Sequence, residues 1–320
     1  MRKNPRLLCL LLAFLLVLPM SGCGKEDAAY SVGICQMIEF SAHDDATKGF
    51  TDALNALLPG QVKITTKNAA NEIGTCSTII NQFLAEEVDL ILANATPALQ
   101  VASAATADVP VLGTSITEYG AIMGLDVQNG IVGGNVSGTS DLAPLDQQAA
   151  MVKEWFPNAK TVGLLYCSAE VNSEFQITGM DEELQKLGYE CVRYAFTDSN
   201  DLAAMVETAS DHCDVIYVPT DNTLAANAPI IDNICRYKKV PVIGGDAGIC
   251  AACSVAALRV SYYDLGYATG EMAAKILTGE ADIAAMPIQY APCDKVANTE
   301  LCSELGLSVP EGYASVSEQK

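Results

Sequence analysis

VDLILANATPALQVASAATADVPVLGTS, residues 88 to 115, and CDVIYVPTDNTLAANAPIIDNICRYKKVPVIGGD, residues 213 to 246, are two versions of one plan. Each leads from an acidic residue into an apolar strand, through a polar turn that carries threonine and an Ala-rich helical segment, to a second strand on Val-Pro-Val. The echo extends upstream. Tyr30 to Cys35 (YSVGIC) answers Thr161 to Tyr166 (TVGLLY), and Gln61 to Ala70 takes the place of Tyr189 to Asn200. Alternating strand and helix patterns specify parallel sheets covered on both faces, and duplication specifies two such lobes with their post-strand turns facing each other. The expected class is α/β: two similar doubly wound parallel-sheet lobes joined by three crossings, with a ligand cleft between them.

At 320 residues, with 50 % apolar and 6 % aromatic composition, the chain is long enough for two domains with cores of their own. Arg2, Lys3 and Arg6 precede the apolar run Leu7 to Leu18, which is too short to span a bilayer and ends in Met20-Ser21-Gly22-Cys23. That is the pattern of an export signal, residues 1–22, running into a lipidated Cys23 and a short tether, residues 23–29. Loss of the signal moves the net charge from -21 to about -24, which argues against nucleic acid because phosphate repels so acidic a chain. Of the 12 cysteines, Cys9 leaves with the signal and Cys23 carries the lipid. Several of the others, Cys35, Cys167 and Cys191, sit in strand-like runs where a buried thiol is the ordinary outcome, though disulfides are open in an oxidising compartment. Cys250 and Cys253 form the one close pair, and with only His43 and His212 in the chain no metal site is expected.

The lobes divide as residues 30–140 plus 262–284 and residues 141–261 plus 285–320. Thr96-Pro97 reads as a helix N-cap followed by a first-turn proline, so free amides point off a strand's carboxyl end, a place that favours an anion. Gly113 to Tyr119 brings a run of hydroxyls to the same edge, and Gly133 to Asp141 reads as a flexible first hinge. That glycine run lacks the Lys-Ser/Thr ending of a phosphate loop. In the second lobe, Cys167 to Ser173, Pro219 to Thr223 and Gly244 to Gly248 are the corresponding turns. Pro229 falls inside a helical pattern and breaks or delays that helix.

Ala95 to Ala98 (ATPA), Gly133 to Asp141 (GGNVSGTSD), Pro219 to Thr223 (PTDNT) and Leu265 to Glu280 (LGYATGEMAAKILTGE), together with the lipobox and the duplicated lobes, resemble the substrate-binding lipoproteins of ABC transporters, in particular the tryptophan/tyrosine-type binding proteins. The resemblance covers about residues 30 to 310. It implies a two-lobe clamp of the type I periplasmic-binding fold. Such a clamp closes on an amino acid, usually aromatic, and passes it to a membrane permease driven by a separate cytoplasmic ATPase, with a lipid anchor, no cofactor and no nucleic acid. Two positions depart from the pattern: Glu39-Phe40-Ser41 stands where the family commonly has Glu-His-Pro, and Glu118-Tyr119 where it has Asp-Pro.

The residues support the same chemistry. A zwitterion needs donors for its carboxylate and acidic acceptors for its ammonium, both fixed at rigid strand ends. Lobe one offers Glu39, Phe40, Thr96, Ala98, Thr114 and Ser115; lobe two offers Ser168, Asn172, Thr220, Asp221, Asn222 and Asp246. Asp221 is the expected ammonium acceptor, and Phe40, Tyr119 and Tyr166 are candidate aromatic walls. Each has a plainer alternative: Thr96 as a cap, Asp221 as an Asx turn, Glu39 as a solvated charge, Ser168 and Asn172 as turn formers, the aromatics as core. No nucleophile elbow, metal spacing or dinucleotide fingerprint marks an enzyme. A branched-chain amino acid, a nucleoside, a sugar, or a sensory role on the same fold are the alternatives.

Overall fold

In the computed structural model, residues 28–124, 127 and 129–317 are described. The signal, Cys23 and most of the tether lie outside them. The first lobe builds β1 (Tyr30–Gln36), α1 (Ser41–Leu57), β2 (Val62–Asn68), α2 (Ile73–Ala85), β3 (Leu90–Asn94), α3 (Thr96–Ala105), β4 (Val111–Ile116), α4 (Tyr119–Met123) and β5 (Val136–Ser140). The second builds α5 (Leu145–Trp155), β6 (Thr161–Cys167), α6 (Val171–Lys186), β7 (Glu190–Phe196), α7 (Leu202–His212), β8 (Val215–Val218), α8 (Asn222–Ala226), α9 (Ala228–Lys238), β9 (Val242–Gly244), α10 (Ala247–Cys253) and β10 (Ala256–Val260). The chain then returns as α11 (Tyr262–Leu277) and β11 (Gln289–Tyr290), and crosses once more to β12 (Cys293–Ala297), α12 (Thr299–Leu305) and β13 (Ala314–Ser315).

The sheets run β11-β5-β4-β3-β1-β2 and β13-β12-β10-β9-β8-β6-β7. All pairings are parallel except β10 with β12. The expected α/β class with two parallel-sheet lobes is what the chain adopts. Strands buried on both faces need apolar cover on both sides. In lobe one, Val32, Ile34, Leu90, Leu92 and Leu112 meet Phe50, Leu54 and Met272 on one face, while Ile91 and Val111 meet Ile80, Phe83 and Leu99 on the other. Full burial of such side chains contributes about 1.5–3 kcal/mol each.

Helix α11 follows lobe two in sequence but packs against α1 of lobe one. The seam is made of glycines: a Cβ on Gly266 would collide with the Ala46 carbonyl, and one on Gly49 with that of Tyr263. Backbones this close exclude any side chain.

Two details depart from expectation and a third follows it. The stretch read as a flexible hinge contains β5, buried at every residue, so the first crossing is shorter and begins at Asp141. Gln289 and Tyr290 pair with Thr139 and Ser140, so lobe one keeps the chain past residue 284 and the third crossing follows Tyr290. As expected, Pro229 delays the helix: α8 and α9 are separated at Asn227, and Pro229 sits in the first turn of α9.

Candidate functional site

The carboxyl ends of the parallel strands in the two lobes meet, and the polar residues converge there. On lobe one, β3 ends at Asn94, followed by Ala95 at φ +99° and then α3. Ser115, at φ +57°, sits on a bulge in β4. Non-glycine residues held there cost on the order of 1–3 kcal/mol each, which the surrounding sheet must offset. Both are buried, and the Ser115 hydroxyl has no protein partner. Thr96 is the first residue of α3 and makes no capping bond, so the helix start keeps amides without intrahelical acceptors. His43 lies on α1, fully buried, and burial lowers its pKa to about 4, so the imidazole is neutral.

Lobe two is arranged differently. Glu170, before α6, accepts from the amide and side chain of Asn222 (3.0 and 2.7 Å) and from the amide and hydroxyl of Thr223 (2.9 and 2.7 Å). Asp221 accepts from the amides of Cys167 and Leu224 and from the Ser173 hydroxyl, each at 2.8 Å. Burial, then the neighbouring Glu170 charge, push its carboxyl well above the usual range. Asn172 donates to Glu170 and to the Thr220 carbonyl, both 3.1 Å. Gln176 bonds Thr220 through both amide and carbonyl and reaches Thr117 of lobe one at 3.4 Å.

Two carboxylates differ from this pattern. Asp141, at the first crossing, accepts from the Tyr262 hydroxyl at 2.9 Å through Oδ2, while its buried Oδ1 has no protein partner. Asp246 caps α10 through Oδ1 to the Ile249 amide at 2.9 Å. Both are buried, and burial raises both carboxyls to about 6, with the Asp246 charge adding to the rise at Asp141. Tyr262 feels both, so the three form one acidic corner where lobe two meets the crossings.

The buried polar atoms with no protein partner, among the described residues, are His43 Nδ1, Asn94 Oδ1, Ser115 Oγ, Asp141 Oδ1, Asn172 Oδ1 and Trp155 Nε1. All but Trp155, which packs edge-on against Tyr313, belong to this edge. A buried polar group without a partner costs about 1–3 kcal/mol, so five at one junction mark a surface shaped for something that supplies the missing bonds. No lysine or arginine is among the buried polar side chains of the described residues.

The candidates read from sequence therefore separate. Ser115, Asn172, Asp246 and Thr96 are at the junction. Phe40 is there too, edge-on to His43 with centroids 5.9 Å apart and against Gly248 of lobe two, where a Cβ would collide with the ring. Thr220 contributes backbone. Asp221 and Asn222 are held by their own lobe, and the Asp221 carboxylate already has three donors, so it is an organiser of the turn. The Thr114 hydroxyl belongs to a buried chain with Thr139 and Thr269 (3.2 and 2.9 Å). Ala98 is in the lobe-one core. Ser168 is exposed and bonds the Phe196 carbonyl. Glu39 is exposed on the rim of a 450 Å³ polar cavity with Gln36, Asp44 and Lys48. Of the proposed aromatic walls, Tyr119 bonds the Gly113 and Thr139 carbonyls inside lobe one, and Tyr166 is in the lobe-two core. His43, Asn94, Asp141, Glu170, Gln176 and Tyr262 were missed. Asp141 alone had a signal, as the one acid in the glycine run.

The family described as ABC transporter substrate binding protein matches residues 31–319. A tyrosine-binding protein of Clostridioides difficile (strain R20291) is 32 % identical over 302 residues, 88 % of this chain and 86 % of that one. An ABC domain from Streptococcus pneumonia, solved in complex with L-Trp, superposes with a TM-score of 0.84 at 31 % identity, over 89 % of this chain and 97 % of that one. A substrate binding protein with adhesive properties from Clostridium difficile, in its ligand-free, open form, is 34 % identical over 91 % of this chain and all of the other, yet its TM-score is 0.70.

Proposed function

The chain belongs to the family of ABC transporter substrate binding proteins, and from that premise we propose that it is the extracytoplasmic receptor of an importer, held at the membrane through a lipid on Cys23. It closes on an aromatic L-amino acid and delivers it to a permease. The family binds solutes rather than transforming them. One observation carries the reading: five buried polar atoms from both lobes stand without partners at one junction. Asp141 Oδ1 and Asp246 receive the ammonium, with no competing cation buried nearby. The start of α3 and Ser115 receive the carboxylate. Phe40 and Tyr262 cover the ring. A sugar or nucleoside would leave the paired carboxylates facing neutral hydroxyls or bases, a poorer match to two buried acids.

The better superposition on the Trp-complexed relative than on the open one, at nearly equal identity, supports reading this conformation as the closed clamp. Calorimetry of the mature protein with each of the common amino acids, paired with solution scattering, tests the reading. Tryptophan or tyrosine should bind best and reduce the radius of gyration. Preference for leucine, or scattering unchanged at saturation, would sink it.

A further inference from the structure

We propose that the ligand's ring must itself carry a neutral hydrogen-bond donor, an indole N–H or a phenol O–H, and that Asn94 of lobe one and Asn172 of lobe two read it. The argument rests on the aromatic amino-acid reading above and begins from which atoms of each amide are committed. Asn94 gives its amide hydrogens to the His43 carbonyl at 2.8 Å and the Thr47 hydroxyl at 3.0 Å. Asn172 gives its own to Glu170 at 3.1 Å, Ser173 at 3.3 Å and the Thr220 carbonyl at 3.1 Å. A backbone carbonyl only accepts, so in both residues the nitrogen must be on the bonded side and the oxygen on the other.

Both oxygens are buried and have no protein partner. Each lobe therefore holds one buried carbonyl acceptor that the protein leaves unused, and in the reading above the ammonium already has Asp141 and Asp246. Both amides are fixed by the protein: the His43 backbone oxygen takes an Asn94 proton, and Glu170 holds Asn172. Neutral carbonyls suit a neutral donor. A ring with nothing to give leaves them desolvated and unpaired, the situation in which a site discriminates most sharply against an analogue that lacks one polar group.

The test is calorimetry on the mature protein with tyrosine, tryptophan, phenylalanine, O-methyltyrosine and 1-methyltryptophan. The donor-bearing ligand preferred by the protein should bind roughly 10- to 100-fold more tightly than phenylalanine, and methylating its ring oxygen or nitrogen should forfeit the same factor. In Asn94→Leu the ratio of the donor-bearing ligand's affinity to that of phenylalanine should shrink toward unity; the ligand series on the unaltered protein decides the matter should that variant fold poorly. Phenylalanine and the methylated analogues binding within about threefold of the parent would overturn the donor requirement and leave the aromatic reading intact. No binding by any aromatic would overturn both.

Discussion

The two lobes carry one repeated sequence plan and use it in opposite ways. At the edge of lobe one, the polar groups are left open: Ser115 Oγ, Asn94 Oδ1 and His43 Nδ1 have no protein partner, and the backbone at Ala95 and Ser115 is strained to hold them. At the edge of lobe two, Glu170, Asp221, Ser173, Gln176 and the Pro219-to-Thr223 turn satisfy one another almost completely. The repeated backbone frame therefore carries an edge with several unsatisfied polar groups on lobe one and, Asn172 Oδ1 aside, a largely self-satisfied turn network on lobe two. A motif residue in a ligand-proximal turn belongs to whichever network reaches it first.

The sharpest way to break this contrast is to remove the hub of the satisfied edge. Glu170→Ala leaves two backbone amides and three side chains without their acceptor, and should cost about 3 kcal/mol or more in unfolding free energy measured by denaturant. A loss under about 1 kcal/mol would show that the lobe-two network is not structural.

Next in size is the comparison of acids. If the proposed ammonium site is right, Asp246→Asn and Asp141→Asn should each weaken the amino acid by about 2–3 kcal/mol, roughly 30-fold or more, because both carboxyls are buried. Asp221→Asn should lower the melting temperature while leaving affinity within about threefold, because its three donors are the protein's own. Calorimetry and thermal melts on the three variants separate the roles, and the opposite ranking of affinities would return the ammonium to Asp221.

The same corner sets a pH dependence. Asp141 and Asp246, raised to about 6 in the fold, bind protons that the unfolded chain does not, so their contribution to stability is present at low pH and lost as pH rises through about 6. His43, lowered to about 4, acts the other way, losing stability as pH falls from its ordinary range toward about 4. Two carboxyls against one imidazole nearly cancel at and above about pH 6 and leave a net gain that approaches about 1 kcal/mol per pH unit on acidification from about pH 6 to about pH 5 in the ligand-free protein. Saturating ligand should flatten that slope, since an ammonium keeps the carboxylates ionised, and affinity should fall over the same window. Melts at several pH values with and without ligand measure it. A ligand-free protein that loses stability on that acidification would contradict the buried acidic corner.

The smallest expected effect is at Ser168, exposed and turned to its own lobe. Ser168→Ala should change stability by under about 0.5 kcal/mol and affinity not at all. A large affinity loss in titration would mean that the lobe-two turn after β6 is a binding edge after all.

Periodicity made the lobes, their strands and the crossing of α11 legible in the sequence, because strand and helix patterns are local. β5 was not, since Val136, Ser137, Gly138, Thr139 and Ser140 lack the apolar signal of a buried strand; their hydroxyls find partners at Met286, Thr269 and Thr117, which no local pattern reveals. The same limit governed the site. Asp221 looked like a ligand acid because its three donors come from residues 3, 48 and 54 positions away. Asn94 read as the polar end of an apolar strand, and Glu170 as one more turn acid, for the same reason. Phe40, Ser115 and Asp246 were recoverable because a strand end alone carries a residue to that edge.

The glycine seam between α1 and α11 has a consequence for how the molecule is made. Phe50 and Leu54 of lobe one lean on a helix, residues 262–277, that is synthesised only after nearly all of lobe two. Until it arrives, the first lobe has an open apolar groove along α1, the kind of surface on which folding intermediates aggregate. The sequence-distant docking of α11 therefore sets a late step in maturation: the first lobe to emerge is the last to be finished, and a chain truncated before residue 262 ends with its oldest half incomplete.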